Sequence, residues 1–376
     1  MTELLPFTDY AARLRGQIRQ TLPPTGEMNR ASQWPEVQFD AFALELFQLQ
    51  FTHNSAYRRL CEFRGINPSS VLSWREIPAV PTTAFKEQEL TWVPDSERQR
   101  VFHSSGTTEQ RPSRHFHNVL SLELYEASLI PWFARHLLSG DLSESFHVIA
   151  LTPPPCAAPN SSLVHMFDTI RRELAPQNLS FIGYLGSDGS WELDSPGVVA
   201  ALTDAAKFSH PLLILGTAFG FVHLLDHCQD TGVRLKLPEG SRVMETGGYK
   251  GRSRMLPKSE LHALITQILG VPSGNMVCEY GMSEISSQAY DCVAGGNSAN
   301  RYFQFPPWAR ARIISPENGR EVALGETGLI QICDLANLAS VQMIQTEDLG
   351  IRRADGFELV GRAQLAEARG CSLMTA

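Results

Sequence analysis

Between Val101 and Tyr280, short apolar runs alternate with longer segments whose apolar residues recur every three or four positions. The runs Phe146 to Leu151, Leu179 to Leu185, Pro211 to Gly216, Arg242 to Glu245 and Asn275 to Tyr280 read as strands. Between them, Ser161 to Leu174, Ser195 to Phe208, Ala218 to Gln229 and Pro257 to Leu269 carry helical spacing. Such alternation predicts crossover units and a largely parallel sheet flanked by helices, an α/β fold. Ser161 and Ser162 stand where a helix cap is preferred, ahead of Leu163, Met166, Phe167 and Ile170.

The rhythm differs on either side of this core, predicted over residues 96–295. Residues 1–95 read as helical and irregular: Phe42, Leu46 and Leu49 keep helical spacing within Phe39 to Leu60, and Gly65 and Pro68 stop it. Pro78, Pro81 and Pro94 favour extended chain on the approach to residue 100. Over residues 296–362, Arg310 to Ile314, Gly328 to Cys333 and Phe357 to Val360 have strand character between Gly, Asn and Asp turns, which predicts a small antiparallel β region. Residues 363–376 form a short tail.

Composition narrows the functional classes. Hydrophobic residues make up 43% and charged residues 19% of the 376, a globular balance that argues against disorder. The net charge of -8 gives no electrostatic reason to expect nucleic acid or an anionic membrane as partner. The longest apolar run, Pro211 to Leu225, is interrupted by Thr217 and His223 and falls short of the ~18 residues of a membrane span, so none is expected. The N-terminus lacks the basic start and apolar run of a signal peptide. Seven cysteines, an odd number without a C-x-x-C pair, suit free thiols in a reducing compartment, and a cytoplasmic protein is the expectation.

Three segments carry candidate chemistry. Val101-Phe-His-Ser-Ser-Gly-Thr-Thr108 is an apolar strand running into a loop that can offer backbone N–H groups and hydroxyls to polyphosphate oxygens. Gly106 would let the backbone approach such a ligand, whereas the alternative is a surface turn. Glu279-Tyr-Gly-Met-Ser-Glu284 ends a predicted strand, where an α/β sheet presents catalytic groups; Glu284 could hold Mg²⁺ beside phosphates, or be a solvated turn residue. Thr346-Glu-Asp-Leu-Gly350, followed by Asp355-Gly356 and Gly361-Arg362, could bind ribose through Asp348 and phosphate or ribose through Arg362, on a β-hairpin turning at Asp-Gly. His115 and His117 share one face of a strand, but two imidazoles without a third ligand are weak evidence for zinc. Cys156, among Pro153 to Pro155, reads as a structural loop cysteine.

In this order the three segments resemble the adenylate-forming superfamily of acyl-, aryl- and luciferase-type ligases. Ser283 stands for that family's Thr and Glu347 for its Gly, while Glu109 and Arg111-Pro-Ser-Arg114 replace a Gly and a Pro-Lys. Arg111 or Arg114 is then the substitute for the loop lysine. A narrower resemblance, to the LuxE branch of acyl-protein synthetases, rests on Pro81-Thr-Thr-Ala-Phe-Lys86, Ser104-Ser-Gly-Thr-Thr108, Pro159-Asn-Ser-Ser-Leu163, Glu245-Thr-Gly-Gly-Tyr-Lys-Gly-Arg252 and Arg369-Gly-Cys-Ser-Leu373.

The resemblance implies the large domain of adenylate-forming enzymes, with the mobile C-terminal domain largely absent, since only a short tail follows Arg362. It implies ATP and Mg²⁺, with Ser104, Ser105, Gly106, Thr107, Thr108, Gly247, Gly248, Tyr280, Gly281, Ser283, Asp348 and Arg362 around the nucleotide and Glu284 on the metal. Lys250, with Lys86 second, is the candidate replacement for the lysine that the absent domain would bring. The reaction implied is activation of a long-chain fatty acid to acyl-AMP and transfer of the acyl group to the enzyme's own Cys371. A LuxC-like reductase subunit would receive it. Arg369 beside this cysteine favours the thiolate, and chain ends are usually mobile. The alternatives are a ligase that uses a diffusible thiol such as coenzyme A, and a non-catalytic subunit that docks a reductase.

Overall fold

The computed structural model describes residues 5–22, 33–104, 111–138, 146–174, 179–207, 210–247, 256–296 and 301–363. The chain opens with helices α1 (Leu5–Thr21), α2 (Glu36–His53) and α3 (Ser55–Phe63). α1 buries Phe7, Tyr10, Ala11, Leu14 and Ile18, one stripe at helical spacing. The single helix expected over Phe39 to Leu60 is instead broken at Asn54. This residue is extended (φ −95°, ψ 97°), closes α2 by donating its N–H to Gln50, and caps α3 by accepting the N–H of Tyr57 at 3.1 Å. A side chain that competes for backbone N–H groups favours a cap over a helix interior, and periodicity alone does not register that.

Next come β1 (Val80–Pro81), α4 (Ala84–Glu87), the antiparallel pair β2 (Arg100–His103) and β3 (Arg114–His117), and α5 (Val119–Leu137). The alternating region supplies β4 (His147–Ala150), α6 (Ser162–Leu174), β5 (Leu179–Phe181), β6 (Gly183–Leu185), β7 (Trp191–Leu193), α7 (Ser195–Ala205), β8 (Leu212–Thr217), α8 (Ala218–Thr231), β9 (Arg242–Thr246), α9 (Lys258–Leu269), β10 (Met276–Tyr280) and β11 (Ala289–Tyr290). Six of these strands form one sheet in the order β11-β10-β9-β8-β4-β5, parallel except for β11.

Alternate residues of this sheet enter different cores, as the two-residue period of a strand requires. Val148, Ala150, Leu213, Leu215, Met244 and Val277 pack with α5, α6 and the N-terminal helices. Ile149, Leu151, Leu212, Ile214, Val243 and Met276 pack with α7, α8 and α9. Burial on both faces explains why these strands read as unbroken apolar runs.

The expected strand Leu179 to Leu185 splits. β5 joins the large sheet, whereas among the described residues β6 pairs with β7 alone. A Cβ on Gly183 would collide with the backbone of Thr152 and Pro153, so the chain passes close there and leaves the sheet.

The last strands, β12 (Ala309–Ile314), β13 (Thr327–Asp334), β14 (Met343–Arg353) and β15 (Gly356–Arg362), are antiparallel in sequence order. One edge of β14 pairs with β1 at Ile344 and Gln345 and with β15 from Asp348 onward. The β14–β15 hairpin turns at Asp355, as its Asp-Gly suggests. Among the described residues, no helix is long and apolar enough to cross a membrane.

Candidate active site at the carboxyl ends of the parallel strands

β9 ends at Thr246 and β10 at Tyr280, and the segments that follow both strands hold sequence-predicted site residues. Gly247 turns the chain out of β9 with φ +71°, a left-handed conformation that favours glycine. Tyr280 packs edge-on against Phe357, with ring centroids 5.2 Å apart, and lies beside Phe303 and Phe305. Its hydroxyl donates to Asp348 Oδ2 at 2.9 Å.

Asp348 is presented by β14. Its N–H donates to Thr346 Oγ1 at 3.1 Å, and that hydroxyl donates to the Ile330 carbonyl at 2.7 Å, so the first threonine of the Thr-Glu-Asp motif props the aspartate. Burial raises the carboxyl pKa of Asp348, while the Tyr280 hydrogen bond and the Arg362 charge oppose that rise. Arg362, register partner of Asp348 on β15, stands 3.6 Å from Oδ1; with 82% of its side chain exposed, this ion pair contributes little by itself.

Ser283 and Glu284 are both buried. The solvated-turn alternative for Glu284 is therefore set aside. Ser283 Oγ donates to Glu284 Oε2 at 3.0 Å. The Asn337 amide donates to the Glu284 carbonyl at 2.9 Å, and Asp334 Oδ2 accepts the N–H groups of Ser286 and Ser287 at 2.8 Å each. Asp334 and Asn337 lie at and just beyond the end of β13, so the antiparallel sheet grips the turn that leaves β10. Ser104, the described start of the Ser/Gly/Thr loop, reaches the same turn: its Oγ accepts the N–H of Ser113 at 3.0 Å, and Ser113 Oγ lies 3.3 Å from Ser283 Oγ.

The structure thus brings together Ser104, Tyr280, Gly281, Ser283, Glu284, Asp348 and Arg362, with Gly247 at the neighbouring strand end. Ser105, Gly106, Thr107, Thr108, Gly248, Lys250 and Cys371 lie outside the described residues. Arg114 pairs with Glu89 at 3.1 Å, and Arg111 is exposed.

Two features were missed by sequence reasoning. Glu279 is buried at the end of β10, accepts a hydrogen bond from Thr246 Oγ1, and has its pKa pushed up to about 7, mainly by burial. A Cβ on Gly281 would meet the Glu279 carboxylate. The signal available was the motif itself, whose opening glutamate falls on an apolar strand. His115 is the second: its Nδ1 lies 2.9 Å from the Ser283 carbonyl.

Among the described residues, no group of three or more His, Cys, Asp and Glu side chains is arranged to hold a metal ion. One carboxylate still suits magnesium, which takes one or two protein carboxylates and completes its shell with water and phosphate oxygens. Glu284 fits that pattern: it is a buried carboxylate in the turn that leaves β10, with one oxygen, Oε2, held by Ser283.

A family model described as acyl-protein synthetase, LuxE, matches residues 28–376. The chain is 23% identical over 349 residues to a long-chain-fatty-acid–luciferin-component ligase of Aliivibrio fischeri, covering 90% of this chain and 87% of that one. A ligase of the same description from Vibrio harveyi is 21% identical over 336 residues, covering 87% and 84%. Among solved structures, the open conformation of a 2-hydroxyisobutyryl-CoA ligase, in complex with 2-HIB-AMP and CoA, superposes with a TM-score of 0.62 at 16% identity over 92% of this chain and 77% of that one. Its postadenylation state gives 0.61 at 17% identity over 88% and 69%. The fold is that of the adenylate-forming ligases.

Proposed function

We propose, because this chain belongs to the LuxE family of acyl-protein synthetases, that it activates a fatty acid with ATP and loads the acyl group onto its own Cys371. The fatty-acid carboxylate attacks the α-phosphorus of ATP, and pyrophosphate leaves with the electron pair of the broken P–O bond. The Cys371 thiolate then attacks the acyl carbonyl carbon, AMP leaves, and a thioester remains. A reductase subunit takes the acyl group from that thioester. The free, mostly buried cysteines of the described chain agree with a reducing, cytoplasmic setting.

The observation that carries the reading is the convergence of Tyr280–Asp348 and Ser283–Glu284 at the carboxyl ends of parallel strands, where open α/β sheets bind ligands. In this reading Asp348 accepts from ribose hydroxyls and Ser104 begins the loop that receives the phosphates. Glu284 supplies the protein carboxylate for magnesium, which when bound neutralises phosphate charge. Most of the work of these residues is positioning and charge stabilisation.

The test is intact-protein mass spectrometry after incubation with ATP, magnesium and a panel of fatty acids. A mass gain of one acyl group, removed by hydroxylamine and absent in Cys371→Ser, is expected, while that variant keeps fatty-acid-dependent pyrophosphate exchange. A label that survives in Cys371→Ser places the acceptor elsewhere. Exchange without any label indicates a diffusible acceptor, and no exchange removes the adenylating activity altogether.

A further inference from the structure

Two residues of one extended segment address the same distant residue. Ser113, just before β3, and His115, its second residue, are two apart along one extended stretch, so their side chains share a face. Ser113 Oγ approaches Ser283 Oγ at 3.3 Å, and His115 Nδ1 approaches the Ser283 carbonyl at 2.9 Å. A carbonyl oxygen only accepts, so Nδ1 carries the hydrogen and Nε2 is left as a bare acceptor. That Nε2 is buried and without a partner among the described residues. Among the described residues the imidazole therefore retains one hydrogen bond, to the residue that holds Glu284. Burial drives its pKa down to about 4, so the ring is neutral near pH 7.

An apolar side chain would fill this site without stranding a polar nitrogen. What it would lack is the donor to Ser283. The hydroxyls are ordered in the same direction: Ser283 donates to Glu284 Oε2, which leaves Ser113 as the donor to Ser283. Asn337, on the carbonyl of Glu284 itself, holds the next peptide. Consecutive carbonyls of the turn are thus fixed from two different sheets.

We infer that His115 is a positioning residue, whose Nδ1–H fixes the Ser283–Glu284 turn so that the Glu284 carboxylate is pre-aligned for its task. The inference rests on the proposed role of Glu284. Asparagine places its amide nitrogen at the same number of bonds from the backbone as Nδ1, and glutamine places it one bond further out. His115→Leu should lower kcat for fatty-acid-dependent pyrophosphate exchange by roughly 10–100-fold, the scale of a misplaced catalytic group. His115→Asn should recover to within about threefold of the parent, whereas His115→Gln, with the same amide, should not.

A purely structural histidine predicts instead that activity follows melting temperature across the three variants, and that result overturns the inference. If the leucine variant does not fold, the asparagine and glutamine pair decides it. Histidine ¹⁵N NMR of the unliganded protein gives a readout apart from activity: an Nδ1–H tautomer for His115 is expected, and an Nε2–H tautomer overturns it. Glu284→Gln run in parallel separates the two claims. Normal exchange in Glu284→Gln removes the underlying reading. Slow exchange there, with unimpaired His115→Leu, removes only the role of His115. With both readings correct, the double variant loses less than the product of the single losses.

Discussion

Tyr280 and Asp348 lie 68 residues apart in the chain, and the tyrosine hydroxyl donates to the aspartate Oδ2 across 2.9 Å. One residue ends a strand of the parallel sheet and the other belongs to β14 of the antiparallel sheet. This bond therefore ties the two sheets together at the proposed nucleotide site. If Asp348 binds the ribose, Asp348→Asn should raise the KM for ATP about 10- to 150-fold, the equivalent of losing charged hydrogen bonds of roughly 1.5–3 kcal/mol. Tyr280→Phe removes a bond that lowers the carboxyl pKa of Asp348. In that variant ATP binding should weaken on acidification at a higher pH than in the parent. ATP titrations between pH 5 and 8 check both, and an unchanged profile in Tyr280→Phe would uncouple the pair from binding.

Glu284→Gln should slow adenylate formation by about a hundredfold or more, on the order of 3 kcal/mol, the cost of one preorganised electrostatic contact. Gln keeps the size of Glu and can still accept from Ser283 Oγ, so the fold should persist. Fatty-acid-dependent pyrophosphate exchange is the measurement, with the melting temperature as control. Exchange at the parental rate would end the assignment.

Much of this site was legible because its motifs sit at strand ends, and those strands were themselves legible. β4, β8, β9 and β10 are buried on both faces, so their apolar runs survive as contiguous text. α5 was not assigned, because Pro131 sits inside a helix that is apolar around most of its circumference. β14 was read as one arm of an Asp-Gly hairpin but without bounds, since a strand carrying Thr346, Glu347 and Asp348 lacks a continuous apolar face. The role of His115 was out of reach: its partner Ser283 is 168 residues away, and a His-x-His spacing suggests metal long before it suggests a carbonyl. Likewise, Glu284 could be located from its motif, but its burial depends on Asp334 and Asn337 from a different sheet.

Asn54 offers a test of the N-terminal helices independent of catalysis. It ends α2, accepts from Tyr57 N–H, and is fully buried. Asn54→Ala should cost about 0.5–2 kcal/mol of unfolding free energy, the usual cost of a lost N-cap. Exchange activity should be unchanged below the melting temperature. Denaturant unfolding checks this, and an undiminished midpoint would mean that tertiary packing alone sets the break between the helices.

Glu279 makes the sharpest pH prediction. Burial lifts its folded-state pKa to about 7, Glu245 adds to the rise, and the Thr246 hydrogen bond opposes it. In the unfolded chain a glutamate titrates near about 4.3. Between those values the folded state holds a proton that the unfolded state has released, so stability falls as pH rises through the window. The slope is at most about 1.4 kcal/mol per pH unit, which amounts to a few kcal/mol by pH 8. The buried histidines act in the opposite sense. Burial depresses His115 and His136 to about 4, so their stabilisation is lost as pH falls from the usual imidazole range toward that value. They are common to both proteins and cancel in a comparison. Glu279→Gln keeps the shape and removes the ionisable group, so it should unfold at nearly the parent's denaturant midpoint at about pH 4, below the window, and at a clearly higher midpoint at about pH 8. A difference that does not vary with pH would mean that Glu279 is ionised in the folded protein throughout, held so by Thr246 and whatever else donates to it.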